Sequence, residues 1–321
     1  MQVGNINWLS KKLYKIFDKQ NIDFENLLEV LVSNDYTWHW GGMSDPFQPV
    51  ESKYNITKQL LDISNKYNRH ILFSTKSDTV YSCDIIPKLH SFQLSVTNVD
   101  DRKDFEPNVP SISSRYKFFQ DLKHSGFKVG IRVQPFIPNV SSKEIVDMFC
   151  DADNFTIEGL KIVPQNKDHK DLIMKLTGLS ACDFTQMGLL NLKPEIRLEL
   201  YKPFISELEK RKIPYSIADN DLHYIGTNSC CCGDMLIHKS TTFNNTCMIH
   251  KYGVDYTKND LLYELENAGV DKCVCAMLFT SNRQEGCKTV RDFYDKRFNR
   301  KTSPFSPYFL YRQDRKDVDM G

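Results

Sequence analysis

Short apolar segments alternate with segments of helical period along the first two thirds of this chain. Apolar residues spaced for helices recur between the apolar segments, as in residues 56–63 and 116–122. This alternation predicts βαβ units and a parallel sheet, and the near-continuous apolar strands favour a sheet buried on both faces. The pattern alone does not separate a barrel from an open doubly wound sheet. The predicted strands are residues 36–40, 70–75, 92–97, 129–133, 155–163 and 213–218.

The alternation stops near residue 218, where the density of cysteines rises. We therefore predict an α/β domain over residues 1–218 and a cysteine-rich region with a tail over residues 219–321. Asp219, Asp221 and His223 come directly after the last predicted strand. Ligands of parallel α/β folds gather at the carboxyl ends of strands, so these three side chains are candidates for contact with a substrate.

The charge balance of the chain gives no support for nucleic acid as a partner. Lys and Arg number 42 and Asp and Glu number 41, so the formal net charge of the 321 residues is +1. Binding to nucleic acid or to an anionic membrane would have to come from a local basic patch. The first residues lack the apolar run of a signal peptide, and no stretch of about 18 apolar residues occurs. We expect a cytoplasmic protein that does not enter a membrane.

Glycines and polar residues that together suit one polar ligand lie at or just after the ends of four consecutive predicted strands. Paired glycines allow a ligand to approach the backbone closely, cationic side chains suit a carboxylate, and small hydroxyl groups suit a ribose. The alternative is that these are ordinary polar loop residues, which are common. The residues concerned are Gly41, Gly42, Ser44, Asp45, Lys76, Ser95 and Arg132.

Four motifs carry a resemblance to a known family. They are WHWGGMSDPFQPVE (38–51), ILFSTKSD (71–78), FQLSVT (92–97) and RVQPFIPNVS (132–141). In this order and spacing they resemble the S-adenosylmethionine (SAM) binding core of the spore-photoproduct-lyase-like branch of the radical SAM superfamily. The resemblance covers roughly residues 36–163, and it implies an α/β fold built as a partial (β/α) TIM-type barrel of parallel strands.

The resemblance implies roles for the residues of the first loop. Gly41 and Gly42 stand where the family's glycine-rich strand end contacts the methionyl amino group of SAM. Ser44 and Asp45 lie in the loop that surrounds the same part of the ligand. Glu51 is expected to fix the loop or the start of a helix rather than to touch substrate.

The following strand ends receive roles from the same resemblance. Lys76 corresponds to a lysine that contacts SAM after the second strand, and Ser95 corresponds to a serine one strand later. Arg132 is a less specific match and is expected to contact a carboxylate or the ribose.

The sequence departs from the family in one motif. The resemblance implies a [4Fe–4S] cluster held by three cysteines spaced CxxxCxxC, with SAM on the open iron, and no CxxxCxxC occurs in this sequence. One expectation is that the first barrel strand and its cysteine loop are missing upstream of Met1, so that a separate N-terminal polypeptide would supply them. The complete enzyme, of lyase or oxidoreductase type, would cleave SAM to a 5′-deoxyadenosyl radical. The alternative is a non-catalytic SAM-binding or metal-binding remnant or partner subunit.

The cysteines form a second constellation. Ten are present, and seven of them lie between positions 230 and 287. Clustered thiolates bind zinc or hold iron–sulfur clusters, which predicts a zinc ion or an auxiliary cluster with ligands chosen from Cys231, Cys232, Cys247 and Cys287. The alternative is that these cysteines are small buried hydrophobic residues.

Overall fold

A computed structural model gives the fold of a defined part of the chain. It describes residues 6–19, 21, 37–42, 44–80, 84–101, 103, 106–163, 165, 167–187, 189–219, 221–228, 230–236, 248, 251–253 and 255–267. Within this part, no helix is long and apolar enough to cross a bilayer.

Helices and strands alternate in the described part of the chain. The helices are α1 (Ile6–Phe17), α2 (Glu51–Tyr54), α3 (Ile56–Tyr67), α4 (Ile112–His124), α5 (Glu144–Met148), α6 (Lys167–Thr177), α7 (Pro194–Arg211) and α8 (Lys258–Asn267). The strands are β1 (Trp38–Trp40), β2 (Ile71–Thr75), β3 (His90–Ser95), β4 (Lys128–Phe136), β5 (Phe155–Gly159), β6 (Lys161–Ile162), β7 (Phe184–Met187), β8 (Leu189–Leu192) and β9 (Tyr215–Ile217).

Six of these strands form one parallel sheet, in the order β1-β2-β3-β4-β5-β9. Each neighbouring pair is parallel, as the pairing of Phe73 with Phe92 and of Ile131 with Phe155 illustrates. The sheet is a half-barrel, so the prediction of an α/β fold with a partial TIM-type barrel is confirmed. All five residues of β2 and of β5 are buried, as expected for a sheet covered on both faces.

The two faces of the sheet differ in chemistry. On one face, aromatic and aliphatic strand residues such as Phe73, Phe92 and Ile131 pack against the apolar stripes of the helices, and each of these three side chains is 0% exposed. Because side chains alternate along a strand, the residues between them project to the opposite face. Those residues are largely polar, and this polar face lies away from the helices.

A small second sheet interrupts the pattern that the sequence predicts for residues 155–163. The predicted single strand is two strands, because β5 ends at Gly159 and β6 pairs antiparallel with β8. Gly159 lies against α7, where a Cβ would come within 2.7 Å of Arg197 Cδ and 2.8 Å of Tyr201 Oη. The chain therefore turns away from the main sheet where that helix crosses it.

Candidate functional site

A line of polar side chains crosses the polar face from β1 to β5. It consists of His39, Ser74, Gln93, Arg132 and Glu158, hereafter the polar row. His39 Nε2 lies 2.7 Å from Ser74 Oγ, and Ser74 Oγ donates to Gln93 Oε1 at 2.9 Å. Arg132 Nη1 donates to Gln93 Oε1 at 3.1 Å, and Arg132 Nη2 donates to Glu158 Oε2 at 2.9 Å. The hydrogen bonds therefore join five adjacent strands.

Arg132 is the cation of the polar row. Its Nε donates to Gln134, so three of its five N–H groups serve the two amides and the carboxylate around it. The Arg132 and Glu158 side chains are 11% and 10% exposed, so this ion pair is shielded from solvent. A guanidinium held in this way presents its remaining donors in a fixed orientation, which suits a ligand carboxylate or hydroxyl group.

The protonation state of His39 follows from its contacts. The Ser74 hydroxyl donates to Gln93, so the 2.7 Å contact requires His39 Nε2 to carry the proton and to donate to Ser74. Burial, together with the nearby charge of Arg132, lowers the pKa of His39 from 6.5 to about 4. A neutral imidazole at one end of the polar row is therefore the stable form at neutral pH.

The loops after β1 and β2 are joined by the Asp45 carboxylate. Its Oδ1 accepts from Phe47 N at 2.9 Å and from Thr75 Oγ1 at 2.7 Å, and its Oδ2 accepts from Lys76 N at 2.6 Å. Gly41 lies beside the same strand end, with φ at +114°, and a Cβ there would overlap the carbonyl oxygen of Ser74. These contacts bring the two loops together along the carboxyl edge of the sheet.

Lys76 lies at this edge in an ion pair. Its Nζ is 2.5 Å from Glu106 Oε1, and the side chain is 36% exposed. Glu106 also lies 3.4 Å from Nη2 of Arg115, whose Nη1 donates to the carbonyl oxygen of Ser95 at 2.7 Å. The Arg115 side chain is 3% exposed. This chain of contacts fixes the end of β3 against the start of α4.

The predicted SAM-contacting residues thus lie along one edge of the sheet. Ser95 pairs with Arg132 across β3 and β4, while Gly42 and Ser44 are exposed in the loop after β1. Contact of any of these residues with SAM stays a prediction. The structural role expected of Glu51 is confirmed, because its Oε1 accepts from Thr57 N at 2.7 Å in the first turn of α3.

A cysteine-bearing turn covers the amino-terminal part of the polar face. This cysteine turn, residues 230–236, is tied to the sheet where Gln93 Nε2 donates to Cys232 O at 2.9 Å. Asp234 Oδ2 accepts from Thr37 Oγ1 at 2.8 Å, just before β1. A Cβ at Gly233 would come within 2.5 Å of Thr156 Oγ1, so the turn needs glycine there for close approach. The turn therefore contacts the polar row at its central residue, Gln93.

Three sulfur atoms lie in the cysteine turn. Cys230 is buried, whereas Cys231 and Cys232 are half-buried, with their Sγ atoms 3.8 Å apart. Among the residues that the structure describes, no group of three or more His, Cys, Asp or Glu side chains is placed to hold a metal ion. The predicted ligands Cys247 and Cys287 lie outside the described residues, so the metal site stays a prediction.

The acidic residues after β9 form an internal ion cluster. Arg197 Nη1 lies 3.0 Å from Asp219 Oδ1 and donates to Asp221 Oδ1 at 2.9 Å. Asp219 Oδ2 also accepts from Tyr201 Oη at 2.7 Å, and burial raises the pKa of both Asp219 and Tyr201. His223 is buried, with Nδ1 2.7 Å from Ile217 O. The two aspartates predicted to contact substrate therefore hold α7 against the end of the sheet.

Sequence reasoning missed His39, Ser74, Gln93, Glu158 and Arg115. The first four alternate with apolar residues along their strands, where a polar side chain must project to the face away from the helices. Arg115 occupies the apolar stripe of α4 between Ile112 and Phe119, where a cation needs a buried partner. Both signals are present in the sequence, although neither identifies the partner residue.

Fold and site together define an α/β half-barrel protein with a polar strand-end site.

No protein-family model matches the sequence, and no curated protein matches it. Among solved structures, the chain is similar to spore photoproduct lyase complexed with dinucleoside spore photoproduct, with a TM-score of 0.46 and 15% identity over 66% of each chain. A mutant of that lyase with bound AdoMet (that is, SAM) and dinucleoside spore photoproduct gives the same values. The chain thus spans just under two thirds of the length of these structures. The fold class itself rests on the strand order and register of the sheet.

Proposed function

We propose that this chain binds SAM at the carboxyl edge of its half-barrel and is the SAM-binding part of a radical SAM protein. In the complete enzyme, SAM would be cleaved reductively to methionine and a 5′-deoxyadenosyl radical that acts on a further substrate. The observation that carries the proposal is the polar row, which places a shielded guanidinium, an amide, a hydroxyl and a neutral imidazole on one face of a parallel sheet.

The donor set of the polar row and the adjoining loops matches the chemistry of SAM. SAM carries a carboxylate, an ammonium group and a ribose. The guanidinium of Arg132 and the ammonium group of Lys76 suit the carboxylate, whereas Glu158 and the hydroxyl of Ser95 suit the ammonium group and the ribose. Lys76 is already paired with Glu106, so a ligand carboxylate would share this lysine or displace the glutamate.

The described residues do not fit the iron–sulfur cluster. No three cysteines among them are placed to hold a metal ion, and the sequence contains no CxxxCxxC. None of the described residues would therefore hold the cluster. The proposal assigns the cluster to a second polypeptide that carries the cysteine motif, and it assigns SAM binding to this chain.

Equilibrium dialysis with labelled SAM tests the binding proposal on the full chain. We expect saturable binding, and we expect Lys76→Met to weaken it about 10-fold or more, because a hydrogen bond to a charged group contributes about 1.5–3 kcal/mol. Arg211→Met is the matched control, since Arg211 forms an exposed ion pair with Asp147 on the helix-covered side. A dissociation constant of about 1 mM corresponds to a binding free energy of only about 4 kcal/mol. Absence of binding at about 1 mM SAM would therefore overturn the proposal.

The catalytic part of the proposal has its own measurement. The chain, iron, sulfide, dithionite and SAM are combined, and 5′-deoxyadenosine is measured with and without a polypeptide that carries CxxxCxxC. We expect product only when both polypeptides are present. Product from this chain alone would contradict the assignment of the cluster to a second polypeptide, whereas the binding result would stand.

A further inference from the structure

The cysteine turn brings together three thiols, and two of them belong to half-buried residues. Cys231 and Cys232 are half-buried with Sγ atoms 3.8 Å apart, whereas Cys230 is 3% exposed. A disulfide bond needs an S–S distance of about 2.05 Å, so the two sulfur atoms must move closer and the peptide group between the two residues must rotate. The two sulfur atoms therefore lie close together on two residues that are only partly covered.

We propose that Cys231 and Cys232 form a reversible redox couple whose oxidant is a low-molecular-weight disulfide. The thiolate of one cysteine attacks the small disulfide, forms a mixed disulfide and releases one small thiol. The second cysteine then attacks the mixed disulfide, closes the Cys231–Cys232 bond and releases the second small thiol. Two protein thiols are oxidised and one small disulfide is reduced to two thiols, so atoms and electrons balance.

The ring that forms is strained, which makes the couple reversible. Cα atoms of adjacent residues are about 3.8 Å apart across a trans peptide, below the usual span of about 4.4–6.8 Å for disulfide-linked residues. Strained disulfides are reduced more easily than relaxed ones. We therefore expect a mild excess of a small thiol to restore the two cysteines.

Oxidation of this pair would act on the polar face through the main chain. Cys232 O accepts the Gln93 Nε2 hydrogen bond, and Gly233 N donates to Cys230 O at 3.0 Å within the turn. Closing a ring across residues 231 and 232 must rotate the peptide groups of the turn. The couple therefore links the redox state of two half-buried thiols to a residue in the middle of the polar row.

Peptide mass spectrometry after treatment of the full chain with glutathione disulfide tests the couple. The chain is first treated with EDTA, and remaining thiols are then alkylated with iodoacetamide before digestion. We expect the peptide containing the cysteine turn to lose the mass of two hydrogens, to carry one alkyl group on Cys230, and to give no fragment ions between residues 231 and 232. Exposed Cys182, in contrast, should retain glutathione as a mixed disulfide.

Two variants separate ring closure from general thiol reactivity. Cys231→Ser should retain glutathione on Cys232, whereas Cys182→Ser should form the ring as the unchanged protein does. Amide exchange at Gly233 should accelerate on oxidation in the unchanged protein and should stay the same in Cys231→Ser. In the unchanged protein, a link between Cys230 and Cys232, stable glutathione adducts on the turn, or exchange that does not respond to oxidation would each overturn the proposal.

Discussion

Substituting Gly41 by alanine tests whether the edge of the sheet has no room for a Cβ at this position. Gly41 has φ at +114°, and an added Cβ would overlap the Ser74 carbonyl oxygen and lie 3.1 Å from Pro46 Cδ. Gly42 is the matched control. A Cβ at Gly42 would meet only the His39 ring, at 3.8 Å, which is ordinary contact.

The expected cost of Gly41→Ala has two contributions. A non-glycine residue in such a sparsely populated backbone region costs about 1–3 kcal/mol, and overpacking against fixed neighbours costs typically about 1–3 kcal/mol more. The neighbour here is backbone of β2, which cannot move without shifting Ser74 in the polar row. We therefore expect a loss of about 4 kcal/mol of unfolding free energy, against about 0.5 kcal/mol or less for Gly42→Ala.

Urea unfolding followed by circular dichroism measures both variants. The midpoint should fall strongly for Gly41→Ala with an unchanged slope, which marks a change in stability rather than in the unfolded state. Equal midpoints for the two variants would refute the reasoning. The two positions are neighbours in the same loop, and they differ in the space available for a Cβ and in the backbone φ angle of Gly41.

Three further outcomes are expected from the same unfolding assay. Arg132→Met removes the shielded cation of Glu158 and leaves the partly exposed Lys161 as its remaining ion-pair partner, so it should cost about 1.5–3 kcal/mol, whereas Arg211→Met, which removes an exposed pair, should cost about 1 kcal/mol or less; equal losses would contradict the burial argument. Asp45→Asn places an amide where Lys76 N now donates and should cost about 1–3 kcal/mol, and a neutral result would mean that the loop reorganises. The pKa of His39 is lowered from 6.5 to about 4, so the unfolded chain binds this proton first, and His39 should lower stability by up to about 1.4 kcal/mol per pH unit as pH drops from 6.5 toward 4. Burial lowers the pKa of His90 to about 4 as well, so His39→Gln should reduce the slope without abolishing it; an unchanged slope would refute this assignment.

The fold could be predicted because its signals are local. Hydrophobic period identifies β2, β3 and β5 and the helices between them, and strand–helix alternation dictates a parallel sheet. The end of β5 could not be predicted, because it depends on the approach of Arg197 and Tyr201 from a helix some 40 residues away in sequence. Local pattern determines where elements form, whereas contacts between distant elements determine where they stop.

The site was predictable only in part, for a related reason. Strand-end positions follow from topology, which is why Gly41, Lys76 and Arg132 could be placed on one edge. The partners of these residues could not be found from sequence. Lys76 meets Glu106 from the segment after β3, and Gln93 meets the carbonyl oxygen of Cys232, which is 139 residues later. Pairing of this kind depends on the packed structure and leaves no periodic signal.

Stability alone does not explain the polar residues of the polar face. A buried polar side chain contributes little net stability even when it is well paired, and buried ion pairs can often be replaced by apolar residues of similar volume at no cost. The helix-covered face of the same sheet is built from such apolar residues, including Phe73, Phe92 and Ile157. Stability alone would favour the same solution on both faces. The polar row instead holds one cation and one neutral imidazole in fixed orientation, as the proposed binding of a polar ligand would require.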